Sequence, residues 1–146
     1  MTERTVYQSM PRRLLVSLPP TATVHEAACV MTRANCGSVL VVGAGTQLLG
    51  IVTERDLMTR VLAKAVDPAK TPLSAVMTPN PRCIGPQTKV EDAVLIMLER
   101  GFRHLPVIGD GDTILGVFSA RDALPREIGV AVGLAEFNEK VNDSMG

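Results

Sequence analysis

One heptapeptide pattern that could do chemistry occurs twice, as Gly50-Ile51-Val52-Thr53-Glu54-Arg55-Asp56 and as Gly116-Val117-Phe118-Ser119-Ala120-Arg121-Asp122. In both, an apolar strand ends, a hydroxyl residue follows and a helix is expected to begin. The first-turn N–H groups of such a helix lack intrahelical partners, and its dipole favours an anion there. Thr53 or Ser119 can add a hydroxyl donor to a phosphate, and Arg55 or Arg121 a charged fork. Asp56 or Asp122 repels phosphate, but its two oxygens can accept from both hydroxyls of a ribose. Phosphate donors beside a ribose acceptor suit a nucleotide. The same residues also read as helix capping boxes, Thr-x-x-Asp and Ser-x-x-Asp, with the acid at the third helical position. Capping alone explains neither the arginine in both copies nor the glycine three residues before each hydroxyl.

No other residues assemble a reactive centre. His104 heads a strand without an Asp or Ser at triad spacing, and His25 belongs to the polar side of a helix. Glu26, Glu91 and Asp92 sit where helix dipoles favour acids. Asp110 and Asp112 lie in a turn that lacks the remaining oxygens of a calcium loop. Cys29, Cys36 and Cys83 are odd in number and form no Cys-x-x-Cys, so neither a disulfide framework nor a zinc site is expected. The expectation is a chain with no catalytic residues and no metal, which is not an enzyme.

The elements that must position the two corners come from an internal duplication. Shifted by 66 residues, the sequence aligns with itself without gaps: Val24 falls on Val90, Ala27 on Ala93, Met31 on Met97, Gly50 on Gly116 and Asp56 on Asp122. Each copy predicts an amphipathic helix (24–33 and 90–100) and a short apolar strand (38–42 and 104–108). A glycine turn follows (43–45 and 109–111), where positive φ costs glycine little. A second strand (48–52 and 114–118) then leads to a second helix near Glu54 and Ala120. A further short strand is expected at 14–16 and 82–84. The organisation is one repeat over 10–65, a second over 74–127, a linker at 66–73 broken by Pro68 and Pro72, and a C-terminal segment over 128–146. That last segment carries a helix at 128–141, expected to pack on the pair or on a partner. A single three-stranded sheet with helices cannot hide both of its faces, whereas two copies packed together can share a core.

Composition narrows the function classes. The chain has 146 residues, with Lys plus Arg and Asp plus Glu equal at 15 each. Without a basic field, nucleic-acid binding is not expected. The four aromatic residues, Tyr7, Phe102, Phe118 and Phe137, are too few for stacking on single strands. Residues 1–13 hold no apolar signal core, and runs such as 39–42 are too short to cross a bilayer. The expected location is the cytoplasm.

Two Gly-x-x-Thr/Ser-x-x-Asp signatures, each behind a strand hairpin and an amphipathic helix, resemble a pair of cystathionine-β-synthase-type (CBS) domains, or Bateman module. Val76-Met77-Thr78-Pro79 and Arg103-His104-Leu105-Pro106-Val107 also match that family pattern. The resemblance implies an α/β (α+β) fold of two tandem repeats packed with pseudo-two-fold symmetry. It implies clefts between the repeats for AMP, ADP, ATP, NAD or S-adenosylmethionine, as a regulatory ligand and not a required cofactor. Carried over, one site would use Ser119, Arg121 and Asp122, with Met77, Thr78, His104 and Pro106 at its walls. The other would use Thr53, Arg55 and Asp56, with Ser38 and Val39 near the base. The Ser119 corner looks the better furnished. The resemblance further implies a homodimer and a regulated enzyme or transporter as partner. A ligand-independent interaction scaffold of the same fold is the alternative function.

Overall fold

The computed structural model describes residues 3–10 and 15–145. Leu14, expected to open a short strand, lies outside the described residues. The chain divides into two compact units, Leu14–Arg82 and a discontinuous one made of Met1–Arg13 with Cys83–Gly146.

In the first unit, strand β1 (Ser17–Leu18) pairs in parallel with β2 (Ser38–Val42), and β2 pairs antiparallel with β3 (Leu48–Thr53). A short β4 (Thr78–Pro79) adds antiparallel to β3, giving the sheet order β1-β2-β3-β4. Helix α2 (Val24–Ala34) starts at Thr23, whose hydroxyl accepts from the Glu26 amide, and stops at Asn35 in the left-handed conformation. It buries Val24, Ala27 and Met31, spaced along one stripe, against Val39, Val41 and Val52. After β3 the chain enters a short helix α3 (Glu54–Asp56), which continues as a wider turn over Leu57–Leu62. There Ala63 N–H reaches back five residues to the Met58 carbonyl at 2.9 Å.

The second unit repeats this register position for position. Helix α4 (Val90–Arg100) buries Val90, Ala93 and Met97, and ends on Gly101 at φ 75°. Strand β5 (His104–Ile108) pairs with β6 (Ile114–Ser119), His104 opposite Ser119 as Ser38 is opposite Thr53. Each hairpin slips register before its last strand residue, at Val41/Val42 and Val107/Ile108. The expected glycine turns hold: Gly45 and Gly111 take φ of 72° and 66°. The extra strand of this unit is reduced to one parallel bridge, Ile84 to Val107. In the first unit it falls at 17–18, later than the sequence suggested.

The segment expected to link the repeats is part of the first unit. Thr71 and Pro68 carbonyls accept from the Val24 and His25 amides, Leu73 N–H donates to Ala22, and Leu73 is fully buried. Burying that leucine and pairing those amides holds the segment in place despite its prolines.

An equivalent arm covers the second unit, and it comes from the other end of the chain. Helix α1 (Val6–Ser9) buries Val6 completely, and Val6 and Tyr7 amides donate to the Thr88 and Pro86 carbonyls. Leu73 and Ser74 make the same two bonds to Ala22 and Pro20. The arms 4–10 and 71–77 are thus 67 residues apart, one more than the repeat shift, and they bring Met10 and Met77 to matching places.

Helix α5 (Pro125–Met145) is longer than the expected 128–141 and packs on α4, with Ala131 fully buried. Proline at its first position removes an N–H that has no helical partner. Among the described residues, no helix is long and apolar enough to cross a membrane.

Candidate functional site

At the first corner, strand β3 delivers Thr53 to the start of α3. Thr53 Oγ1 accepts from the Asp56 amide at 3.3 Å. Asp56 Oδ2 accepts in return from the Thr53 amide at 2.9 Å and its hydroxyl at 3.2 Å. The capping reading is therefore correct as local chemistry. It occupies one carboxylate oxygen and leaves lone pairs on the other, since a carboxylate offers about four acceptor positions. Asp56 is 8% exposed. Its Oδ1 faces the Arg60 guanidinium at 3.7 Å, and Arg60 Nη1 donates to the Val76 and Met77 carbonyls at 3.0 and 2.9 Å. Ser38, also buried, stands across the ladder from Thr53. The structure thus brings Ser38, Thr53 and Asp56 together.

Glycine at position 50 answers to the arm. A Cβ there would lie 2.6 Å from Met77 Sδ and 2.8 Å from the Thr78 carbonyl oxygen. Met77 and Thr78, expected at the walls of the Ser119 site, are members of the first unit, where β4 pairs with Gly50 and Ile51.

At the second corner, Asp122 Oδ2 accepts from the Ser119 amide at 2.9 Å, and Ser119 Oγ accepts from the Arg121 amide at 3.3 Å. His104 is the cross-strand neighbour of Ser119, so His104, Ser119 and Asp122 also come together. The helix expected from Ala120 lasts only to Asp122. Ala123 is extended (φ −85°, ψ 143°), and α5 starts afresh at Pro125. No helix dipole runs continuously behind Ser119, so the corner judged better furnished has less backing than the one at Thr53.

Position 116 requires glycine for a different reason. Its φ is 153°, and the nearest atoms to a Cβ belong to Met10 at 3.7 Å.

Val39 and Pro106 are fully buried, their side chains packed into the two units. Pro106 meets its surroundings through its carbonyl, which accepts from the Ile84 amide at 3.0 Å. Arg55 and Arg121 are exposed at their corners.

Three residues that the sequence reading passed over tie the arms to the corners. Arg60 is one. Arg4 donates to Glu127 through Nη2 at 2.7 Å and Nε at 3.2 Å, and to the Asp122 carbonyl at 3.1 Å. Glu127, 4% exposed, also caps α5 by accepting from the Leu124 amide at 2.8 Å. The Arg4 hydrogen bond holds the Glu127 carboxyl below the usual carboxylate range, against burial, which acts the other way. A 67-residue shift aligning Val6 with Leu73 and Met10 with Met77 was the available signal for the arms.

The CBS-domain family model matches residues 8–63 and 73–127. The chain belongs to the CBS-domain family. An uncharacterised 17.7 kDa protein of Acidianus ambivalens is 37% identical over 103 residues, covering 70% of this chain and 61% of that one. A CBS domain-containing protein of Arabidopsis thaliana is 35% identical over 112 residues, 77% of this chain and 20% of the plant protein. The chain thus spans less than two thirds of either relative's length. Among solved structures, a CBS domain protein of Pyrobaculum aerophilum complexed with AMP superposes with a TM-score of 0.78 at 25% identity, covering 90% of this chain and all of that one. The mixed α and β repeats seen here are those of a tandem CBS pair.

Proposed function

We propose that this chain is a regulatory module, not an enzyme, that binds an adenosine-containing nucleotide in the cytoplasm and signals its occupancy to a partner enzyme or transporter. The observation that carries this reading is the doubled corner. Twice, a strand-end hydroxyl and a carboxylate three residues on converge with a polar residue from the adjacent strand. The carboxylate would accept from ribose hydroxyls, and the hydroxyl and exposed arginine would meet phosphate. The AMP complex of the Pyrobaculum relative supports this ligand class. AMP, ADP, ATP, NAD and S-adenosylmethionine share the adenosine moiety. Differential affinity for two conformations is what would turn binding into a signal.

Calorimetry on the purified protein with AMP, ATP, NAD and S-adenosylmethionine tests it. At least one should bind with micromolar to millimolar affinity, and the Asp56→Ala, Asp122→Ala double variant should lose that binding while remaining folded. Silence toward all four ligands would overturn the proposal.

A second reading, an interaction scaffold, draws on α5. Val130, Leu134, Phe137 and Val141 recur at alternating four- and three-residue steps and are all exposed, Phe137 at 63%. Such a stripe suits a second copy of the chain in a two-fold pair. Light scattering should show a dimer that Phe137→Ser weakens; a monomer at high micromolar concentration would remove this reading.

A further inference from the structure

The first unit carries an arginine that its signature does not include, and its bonds span two functions. Arg60 sits in the wide turn after α3, one turn beyond Asp56. One end of its guanidinium donates to two consecutive arm carbonyls, Val76 and Met77, and Nε faces Asp56 Oδ1. Asp56 Oδ2 is already fixed by Thr53. The carboxylate is therefore hydrogen-bonded by Thr53 through Oδ2, while its Oδ1 lies in charge contact with the Arg60 guanidinium. The arm is held by the same guanidinium, and it lays Met77 over Gly50 at the signature's first position.

We propose that Arg60 is a positioning residue of the first corner: it orients Asp56 toward ribose hydroxyls and links occupancy of Asp56 to the docking of arm residues 76–80. This rests on the reading of Asp56 as a ribose acceptor. Coupling between two groups that share one guanidinium is reciprocal, so a ligand that orders the carboxylate also orders the arm. At the second corner the arm itself supplies an arginine, Arg4, which donates to the Asp122 carbonyl and to Glu127.

The test uses the full chain carrying Asp122→Asn, so that binding reports the first corner, with AMP and 2′-deoxy-AMP as probes. In this background AMP should bind at least tenfold tighter than the deoxy compound, and should slow amide exchange over residues 76–80. Adding Arg60→Met should bring the two affinities within about twofold and abolish the slowing; Arg60→Lys, which keeps the charge, should retain part of both. If Arg60→Met weakens both probes equally and leaves their ratio intact, Arg60 is only structural and the proposal fails. If the Asp122→Asn protein binds neither probe, or binds both alike, the ribose reading of Asp56 fails first.

Discussion

At the Thr53 corner the covering arm arrives from downstream, and the arginine that ties it belongs to the helix following the signature. At the Ser119 corner the arm arrives from upstream, and the arginine belongs to the arm itself, with its acid, Glu127, on the helix. The strand registers and the arm's main-chain bonds coincide, Leu73 to Ala22 and Val6 to Thr88. Only the side chains of the clamp trade places. The duplication therefore preserves what the main chain demands and leaves free how charge completes it. A buried main-chain amide must find an acceptor in either copy, whereas a guanidinium can tie an arm from either side, by donating from the helix to arm carbonyls or from the arm to a carboxylate on the helix.

The largest test of this contrast lies in the two signature glycines. Gly50→Ala should destabilise by about 1–3 kcal/mol, because the new methyl must displace the Thr78 carbonyl and strand β4. Gly116→Ala meets only ordinary contact with Met10 and should cost about 1 kcal/mol, from backbone conformation alone. Urea unfolding compares them directly, and equal losses would erase the distinction between close approach and backbone geometry.

A smaller effect is expected from Glu127→Gln, which keeps the shape but removes the charge. It should cost about 1 kcal/mol, with faster amide exchange at Val6 and Tyr7 and none at Leu73 and Ser74. Loosening of both arms together would mean that they do not act separately.

The smallest effect is the pH dependence. Glu127 has its carboxyl lowered in the folded state by the Arg4 hydrogen bond, so its contribution is whole above the unfolded carboxylate value. It fades as pH falls through the depressed folded value. Protection of the Val6 amide should therefore drop more on acidification than protection of the Leu73 amide, and Glu127→Gln should flatten the difference.

Much of this was legible in the sequence. The 66-residue shift located α2, α4 and all four hairpin strands to within a residue at each end, because apolar periodicity and glycine turns recur in both copies. The corners were legible as residue sets, and Ser38 with Thr53 and His104 with Ser119 do come together. The arms were not, because one additional residue puts Met10 out of step with Met77. Pro68 and Pro72 mark the end of a helix, but they carry no information on where the chain goes next. The break at Ala123 did have a signal. Proline disfavours the helical conformation in the residue before it, so Leu124 ahead of Pro125 stops any helix begun at Ala120. Thr59 occupies the corresponding place in the first repeat, and there the helix runs on.

The upstream origin of the second arm bears on how the chain is made. Residues 14–82 form a contiguous unit whose parts have all left the ribosome before the second repeat is finished. Residues 3–10 emerge before residues 14–82, yet their acceptors, from Pro86 to Glu127, are made only after that unit. The second unit must therefore close by a long-range capture that no local contact can begin, which makes it the slower to mature. Deleting the first ten residues would not trim a tail but would leave that unit's core without Val6.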